Sequence, residues 1–348
     1  VIRFFLLFSA AVTATSCAPV AVVHDSTEIP SRPKTDLGLL GNARVARNFE
    51  NYVNNATAHC HGGGSGGKRI LLSGFGPFNR RRNISGAVID VLQRSVLWPS
   101  ESRWPAVTAG FAAPNFLPDD RIGEIGASAL QRTIRYDGQE FELCLLKLSV
   151  EWDFAAAVIL HEAEKFQPDF ILMTGYGNNL NGVRLEAGAL NQTRRLSGFD
   201  AHGRVLGELN SPESAWVLPP ELNLHEQLSM DWNPRVIASR LSARLQQVSR
   251  ATRRSGTSEE WKFVAYDKAD PENDYVCNNV SYSVLAALQS QSVIPLAGGK
   301  VRLRPRFAGR VGAAFLHYPY ESDVTSAEEV WAWTHLLLTV AGVVDAAF

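Results

Sequence analysis

The stretch Phe170-Ile171-Leu172-Met173-Thr174-Gly175 is a short apolar run that closes on the turn Gly175-Tyr176-Gly177-Asn178. Such a run, bounded by turn residues, predicts a strand in the middle of a sheet. Just before it, Glu151 to Phe166 sets Ala155, Val158, Ile159 and Ala163 at helical spacing, and Pro168 ends that helix. Further back, Thr133–Tyr136 and Phe141–Leu148 read as two strands joined by a tight turn at Asp137-Gly138. Ile84 to Leu97 reads as a helix with Ile84, Val88, Val91 and Leu92 on one side, preceded by the buried strand Arg69-Ile70-Leu71-Leu72-Ser73. Two strand–helix–strand units in series predict an α/β fold: a parallel or mixed sheet covered by helices on both faces.

Downstream the pattern continues. Asn233-Pro234 opens a helix whose inner face is Ile237, Leu241, Leu245 and Val248, with arginines outward as a solvated face. Trp261 to Tyr266 is a strand, Arg302 to Arg310 a loop, and Val311 to Leu316 another strand. Ser326-x-x-Glu329 fits a capping box for a last helix, Val330 to about Val344, which holds His335 and Thr339 and is too short to span a bilayer. Gly207 to Asp231, with Pro212, Trp216, Pro219 and Pro220, has little periodicity; long segments of this kind often act as lids or partner-binding loops.

The totals exclude several classes. Across 348 residues, 45% are hydrophobic and 20% charged, which suits a soluble globule, and the net charge of -1 gives no reason to expect nucleic acid or an anionic membrane as a partner. Four cysteines are too few for a disulfide-built scaffold. Cys144 falls in a strand and reads as core; in an oxidising compartment it could pair with Cys60, although nothing in their spacing requires it.

The N-terminal region reads as an address and a tether. Arg3, the apolar run Phe4 to Phe8 and the small residues up to Cys17 describe an export signal over residues 1–17. Ala14-Thr15-Ser16-Cys17 is near a lipoprotein cleavage box, so Cys17 is a candidate lipid anchor and the expected location is exported, periplasmic or secreted. Residues 18–68 lack sustained periodicity and predict a flexible linker, with a short helix around Ala43 to Val53. His61 to Arg69 nearly spells a phosphate loop. Arg69 stands where Ser or Thr is required, and the run precedes a strand rather than following one, so it reads as linker. His59, Cys60 and His61 are adjacent residues in that run, a poor basis for a closed metal site.

The chemistry-bearing stretches lie further on. In Asp274-Tyr275-Val276-Cys277-Asn278-Asn279, a thiol comes after a strand and just before the helical stripe Val280, Val284, Leu285 and Leu288. A helix N-terminus favours negative charge, which suits a nucleophilic thiolate; the plainer reading of a lone Cys is a small buried hydrophobe. Gly74-Phe75-Gly76-Pro77-Phe78 follows the first strand, where Phe75 and Phe78 are either walls for a flat ring or core plugs. Phe315-Leu316-His317-Tyr318-Pro319 ends a strand in a His, and Leu185-Glu186-Ala187-Gly188-Ala189-Leu190-Asn191 follows a glycine-rich turn. Taken singly, His317 reads as a structural residue and Glu186 as a surface one.

Together these four stretches resemble pyroglutamyl peptidase I, the pyrrolidone-carboxylate peptidase family of cysteine peptidases. The likeness runs from about Lys68 to the C-terminus. It implies a three-layer αβα sandwich of phosphorylase/hydrolase-like type with a mixed, mostly parallel sheet. It also implies Cys277 as nucleophile, His317 as base and Glu186 as the group that orients His317. Phe75, Phe78 and Val276 would line the pocket for the lactam ring. The substrate would be a peptide with a blocked, pyroglutamyl N-terminus, and no metal or organic cofactor is needed. This chain departs from the family pattern at Tyr176, where Gln is usual, after Asn191, and in the acidic run Asp270-Pro271-Glu272-Asn273-Asp274. Negative charge beside a thiol opposes its ionisation. Those departures carry the alternative: an exported binding protein that keeps the fold without turnover.

Overall fold

The structure, a computed structural model, describes residues 36–63, 66–78, 82–94, 125–177, 182–192, 216–233, 236–237, 241, 245, 262–266, 269–270, 273, 275–290, 292–307, 310–319, 324 and 327–347. The expected export signal with Cys17, the loop after Asn191, Val248 and the outward arginines of its helix, and Ser326 lie outside them.

The elements in chain order are α1 (Asp36–Asn55), β1 (Lys68–Phe75), α2 (Ile84–Arg94), β2 (Ala127–Tyr136), β3 (Gln139–Leu148), α3 (Phe154–Phe166), β4 (Phe170–Gly177), β5 (Gly182–Glu186), β6 (Gly188–Leu190), β7 (Gln227–Ser229), β8 (Lys262–Tyr266), α4 (Val276–Ser290), β9 (Ile294–Leu296), β10 (Val301–Leu303), β11 (Gly312–Pro319) and α5 (Ala327–Ala347). Seven strands form one sheet in the order β2-β3-β1-β4-β11-β5-β8. The pairs β3–β1, β1–β4, β4–β11 and β5–β8 are parallel; β2–β3 and β11–β5 are antiparallel. The sheet is mixed and mostly parallel, as the sequence predicts.

Side chains alternate across a strand, so each apolar strand feeds two cores. Leu71 and Phe75 of β1, Cys144, Leu146 and Leu148 of β3, Ile171 and Met173 of β4, and Ala313 and Phe315 of β11 pack with α1, α3 and α4. Ile70 and Leu72, Leu143 and Leu145, Phe170 and Leu172, and Ala314 and Leu316 face the other way, onto α2, α5 and the helical residues Ile237, Leu241 and Leu245. The three-layer αβα sandwich follows from this two-sided burial. Lys147 of β3 is buried on the α2 side and its charge is met by Asp90 of α2 at 2.6 Å. Asp137 (φ 49°) and Gly138 (φ 74°) are both left-handed, the conformation a two-residue hairpin needs to match strand twist. α5 is core, with Trp331, Trp333 and His335 fully buried. Among the described residues no helix is long and apolar enough to cross a membrane.

The flexible-linker expectation for 18–68 fails over 36–63. α1 is longer than expected, and its Val45, Phe49 and Tyr52 are buried against α3. Cys60 forms a disulfide with Cys144 of β3. His161 of α3 is buried beside Phe49, and burial, helped by nearby Lys165 and His59, presses its pKa down to about 3. Two smaller corrections concern loops. Val301–Leu303, at the start of the expected Arg302–Arg310 loop, pairs antiparallel with Ile294–Leu296. Residues 216–230 of the expected lid-like segment are tied down: β7 pairs with β6, and Asn191 exchanges hydrogen bonds with the backbone of Leu218 at 2.8 and 3.1 Å.

Candidate active site

Strands β1, β4 and β11 run in parallel, so their C-terminal ends share one edge of the sheet. β11 places His317 opposite Gly175 of β4. Period-two alternation puts His317 on the same face as Ala313 and Phe315, the face that α4 covers. On its other side β11 pairs with β5 running in the opposite direction, which sets Glu186 opposite Phe315. The three sequence-predicted catalytic residues thus arrive from two adjacent strands and the first turn of a helix. Cys277 is the second residue of α4, half-buried, and a free thiol.

The contacts form a line. The Nδ1 of His317 lies 2.7 Å from Oε1 of Glu186. Cys277 brings its sulfur against Gly175, the residue paired with His317 across β4 and β11, and its nearness helps raise the His317 pKa; with Nδ1 held by Glu186, Nε2 is the nitrogen left over. Both His317 and Glu186 are buried. The second oxygen of Glu186 accepts a hydrogen bond from the side-chain amide of Asn273 at 2.7 Å. The sulfur sits over Gly175: a Cβ built there would lie 2.9 Å from Sγ and 3.0 Å from the ring of Phe315. Phe315 in turn packs on the imidazole, ring centroids 4.6 Å apart.

Electrostatics favour an ion pair. Burial alone would press the His317 pKa down. The charge of Glu186, with hydrogen bonds to Cys277 and Glu186 and the charge of Cys277, outweighs burial and lifts it from 6.5 to about 10. Because the folded-state value is the higher one, this charge contributes stability that is fully present below pH 6.5 and lost as pH rises through about 10. Denaturant unfolding of the protein and of Glu186→Gln across that window is expected to show their difference in stability narrowing as pH rises; a constant gap would mean that His317 is neutral in the fold. Of the acidic run, Asp270 and Asn273 are among the described residues, while Glu272 and Asp274 lie outside them. Asp270, buried, forms an ion pair with Arg184 of β5, so its charge is already compensated. Asn273 serves Glu186 rather than opposing Cys277.

The expected pocket residues separate. Phe75 is buried in the core, its backbone N–H donating to the hydroxyl of Ser85 at 2.9 Å, and Val276 is fully buried beneath α4. Phe78 is half-buried against Tyr275, centroids 5.7 Å apart, and Tyr275 meets Trp152 edge-on at 5.1 Å. Phe78, Tyr275 and Trp152 therefore make one aromatic group beside the N-terminus of α4. Two asparagines pin that helix. Asn278 brackets the backbone of Leu190 and Gln192 at 2.7 to 2.8 Å. Asn279 holds Asp153 through its N–H and carboxylate, both at 3.0 Å. The reading from sequence missed Gly175, Asn273, Tyr275 and Trp152; only Tyr275, next to the nucleophile motif, carried a visible signal.

Solved structures with a similar fold are pyrrolidone-carboxylate peptidases. In structure this chain resembles pyroglutamyl peptidase I. The pyrrolidone carboxyl peptidase of the thermophilic keratin-degrading bacterium Fervidobacterium islandicum AW-1 is 16% identical, with 81% of this chain and 100% of that one covered at a TM-score of 0.47. The pyroglutamyl peptidase I of Bacillus amyloliquefaciens is 15% identical, covering 80% and 95% at 0.46. The Thermus thermophilus enzyme is 18% identical, covering 78% and 98% at 0.43. No protein-family model and no curated protein matches the chain. At these values the likeness is one of general architecture, and the chemistry has to be argued from the side chains.

Proposed function

We propose that this protein is a cysteine peptidase that hydrolyses the amide bond after an N-terminal pyroglutamyl residue. The observation that carries the reading is the convergence of the half-buried thiol of Cys277 on the buried pair His317–Glu186, with Asn273 behind it. The sulfur of Cys277 attacks the carbonyl carbon joining the lactam residue to the peptide. Helix geometry leaves the N–H groups of Val276, Cys277 and Asn278 without acceptors inside α4, so they are donors for the developing oxyanion. His317, already protonated, gives its proton to the departing amine, and a thioester remains on Cys277. Water then adds to the thioester, His317 takes up its proton, and the pyroglutamyl acid leaves as the thiolate and protonated His317 are restored. Glu186 keeps the proton-bearing Nδ1 turned away from the sulfur, which leaves Nε2 to do the work.

The substrate class rests on the resemblance of the motifs and on the aromatic group. A pyroglutamyl N-terminus carries no ammonium, so the partly buried rings of Phe78 and Tyr275, backed by Trp152, suit its ring without burying a charge. Export, and lipid attachment at Cys17, belong to the same proposal: the Cys60–Cys144 disulfide suits an oxidising compartment. The binding-protein alternative loses part of its support, because Asp270 of the acidic run is paired with Arg184.

A panel of reporters tests the reading. Release of a fluorogenic amine is expected from the pyroglutamyl conjugate and not from its proline or N-acetylglutamyl counterparts. Iodoacetamide at neutral pH is expected to label Cys277 quickly, with 2-pyrrolidone slowing it. Cleavage of none of the three, with sluggish labelling, would return the protein to the binding class.

A further inference from the structure

A second cluster of reactive side chains lies where α1 meets α3, away from the catalytic edge. α3 begins at that edge and runs back along the sheet, so Glu162 is roughly 12 Å along the helix axis from Phe154. His59, His161 and Glu162 each offer one ligand atom, and these atoms all lie within 4.8 Å of one another. Ligand atoms around a tetrahedral Zn2+ stand about 3.4 Å apart at the usual bond lengths, so small side-chain rotations close the set.

Hydrogen bonding explains only part of this cluster. The carboxylate of Glu162 accepts from the hydroxyl of Tyr52 at 2.9 Å and the backbone N–H of Cys60 at 2.7 Å, and it lies 2.5 Å from Nδ1 of His59. His161 takes no part. Its residue is 7% exposed, and its Nε2 is buried with no hydrogen-bond partner among the described residues. An unsatisfied buried polar atom costs about 1–3 kcal/mol, and a metal ion would turn that cost into a bond. The supporting shell is in place: Tyr52 and the Cys60 N–H hold the carboxylate, as donors do around bound metals. The side chain of His59 is 17% exposed, which leaves a route from solvent and room for a water as fourth ligand.

We infer that His59, His161 and Glu162 bind a divalent transition metal, with Zn2+ the best match to two imidazoles and a carboxylate, and that the ion fastens the segment after α1 to the catalytic domain. The inference is independent of the proposed peptidase reaction.

The test uses the full chain with its disulfide intact and Cys277→Ala, so that the catalytic thiol supplies no competing ligand. After chelation and dialysis, calorimetric titration with Zn2+ is expected to show one saturable equivalent and a rise in Tm. Loss of an outer-shell partner weakens metal sites 10- to 100-fold, so His59→Gln or His161→Gln is expected to cost at least about 100-fold and to abolish the rise in Tm. Absence of saturable uptake, or unchanged affinity in both variants, would overturn the site. His59 is partly exposed and its variant folds independently of the buried imidazole, so it decides the matter if His161→Gln does not fold.

Discussion

Cys277→Ala is expected to lower kcat/KM on a pyroglutamyl reporter by at least about 10^4-fold, while shifting unfolding free energy by no more than about 1 kcal/mol. The two magnitudes separate because the thiol contributes to chemistry and little to packing. Cys277 is half-buried at the end of a helix already pinned by Asn278 and Asn279, so removing one sulfur leaves α4 where it is. Adding His317→Ala to Cys277→Ala is expected to cost almost nothing more in rate, since members of such a unit fail together. Stability behaves in the opposite manner. His317→Ala strands a buried carboxylate, and breaking a buried pair from one side costs about 3–5 kcal/mol. Residual activity above a tenth of the starting rate in Cys277→Ala, measured on protein shown to be folded, would remove the sulfur from the reaction.

How much of this was legible in the sequence depends on the range over which each feature is held. The parallel core strands are written locally: Ile70 to Ser73, Phe170 to Gly175 and Val311 to Leu316 carry their apolar runs and boundary residues within a few positions. The three residues proposed for catalysis were legible because motifs in a fixed order mark them. α1 was legible only in part, as a short helix within a linker, and its place in the core was not, since its buried stripe is narrow. Val45, Phe49 and Tyr52 stand among polar residues, and what makes them core is α3, a hundred positions away. The pairing of Asp270, in the acidic run before Cys277, was hidden for the same reason. The charge of Asp270 is visible in one dimension, but Arg184, which compensates it, is 86 positions upstream. Asn273 sits inside that run and does the reverse of what its neighbours suggest, steadying Glu186. β10 was hidden because arginines and a proline surround it, although Val301 and Leu303 are buried.

Gly175→Ala is expected to reduce kcat by about 100-fold or more and to destabilise the fold by about 1–3 kcal/mol. The backbone of β4 accepts alanine there, so the effect is one of space alone. The new Cβ would stand 2.9 Å from Sγ of Cys277 and 3.0 to 3.1 Å from two ring atoms of Phe315. The sulfur gives way by turning about its own Cα–Cβ bond, which shifts it relative to His317. The ring packs on the imidazole, centroids 4.6 Å apart, so a shift of the ring disturbs the imidazole. Either movement alters the placing of thiol against base, and misplacement by about an ångström is enough to cost two orders of magnitude. Gly312→Ala supplies the comparison. Its Cβ would meet the ring of Phe170 at 2.5 Å, at the opposite end of β11 from His317. That variant is expected to lose stability while its folded fraction keeps its kcat and its iodoacetamide rate. If Gly175→Ala behaves in the same way, losing stability alone, then the seat of the sulfur over β4 has no part in catalysis, and the alignment of thiol, imidazole and carboxylate is a feature of packing.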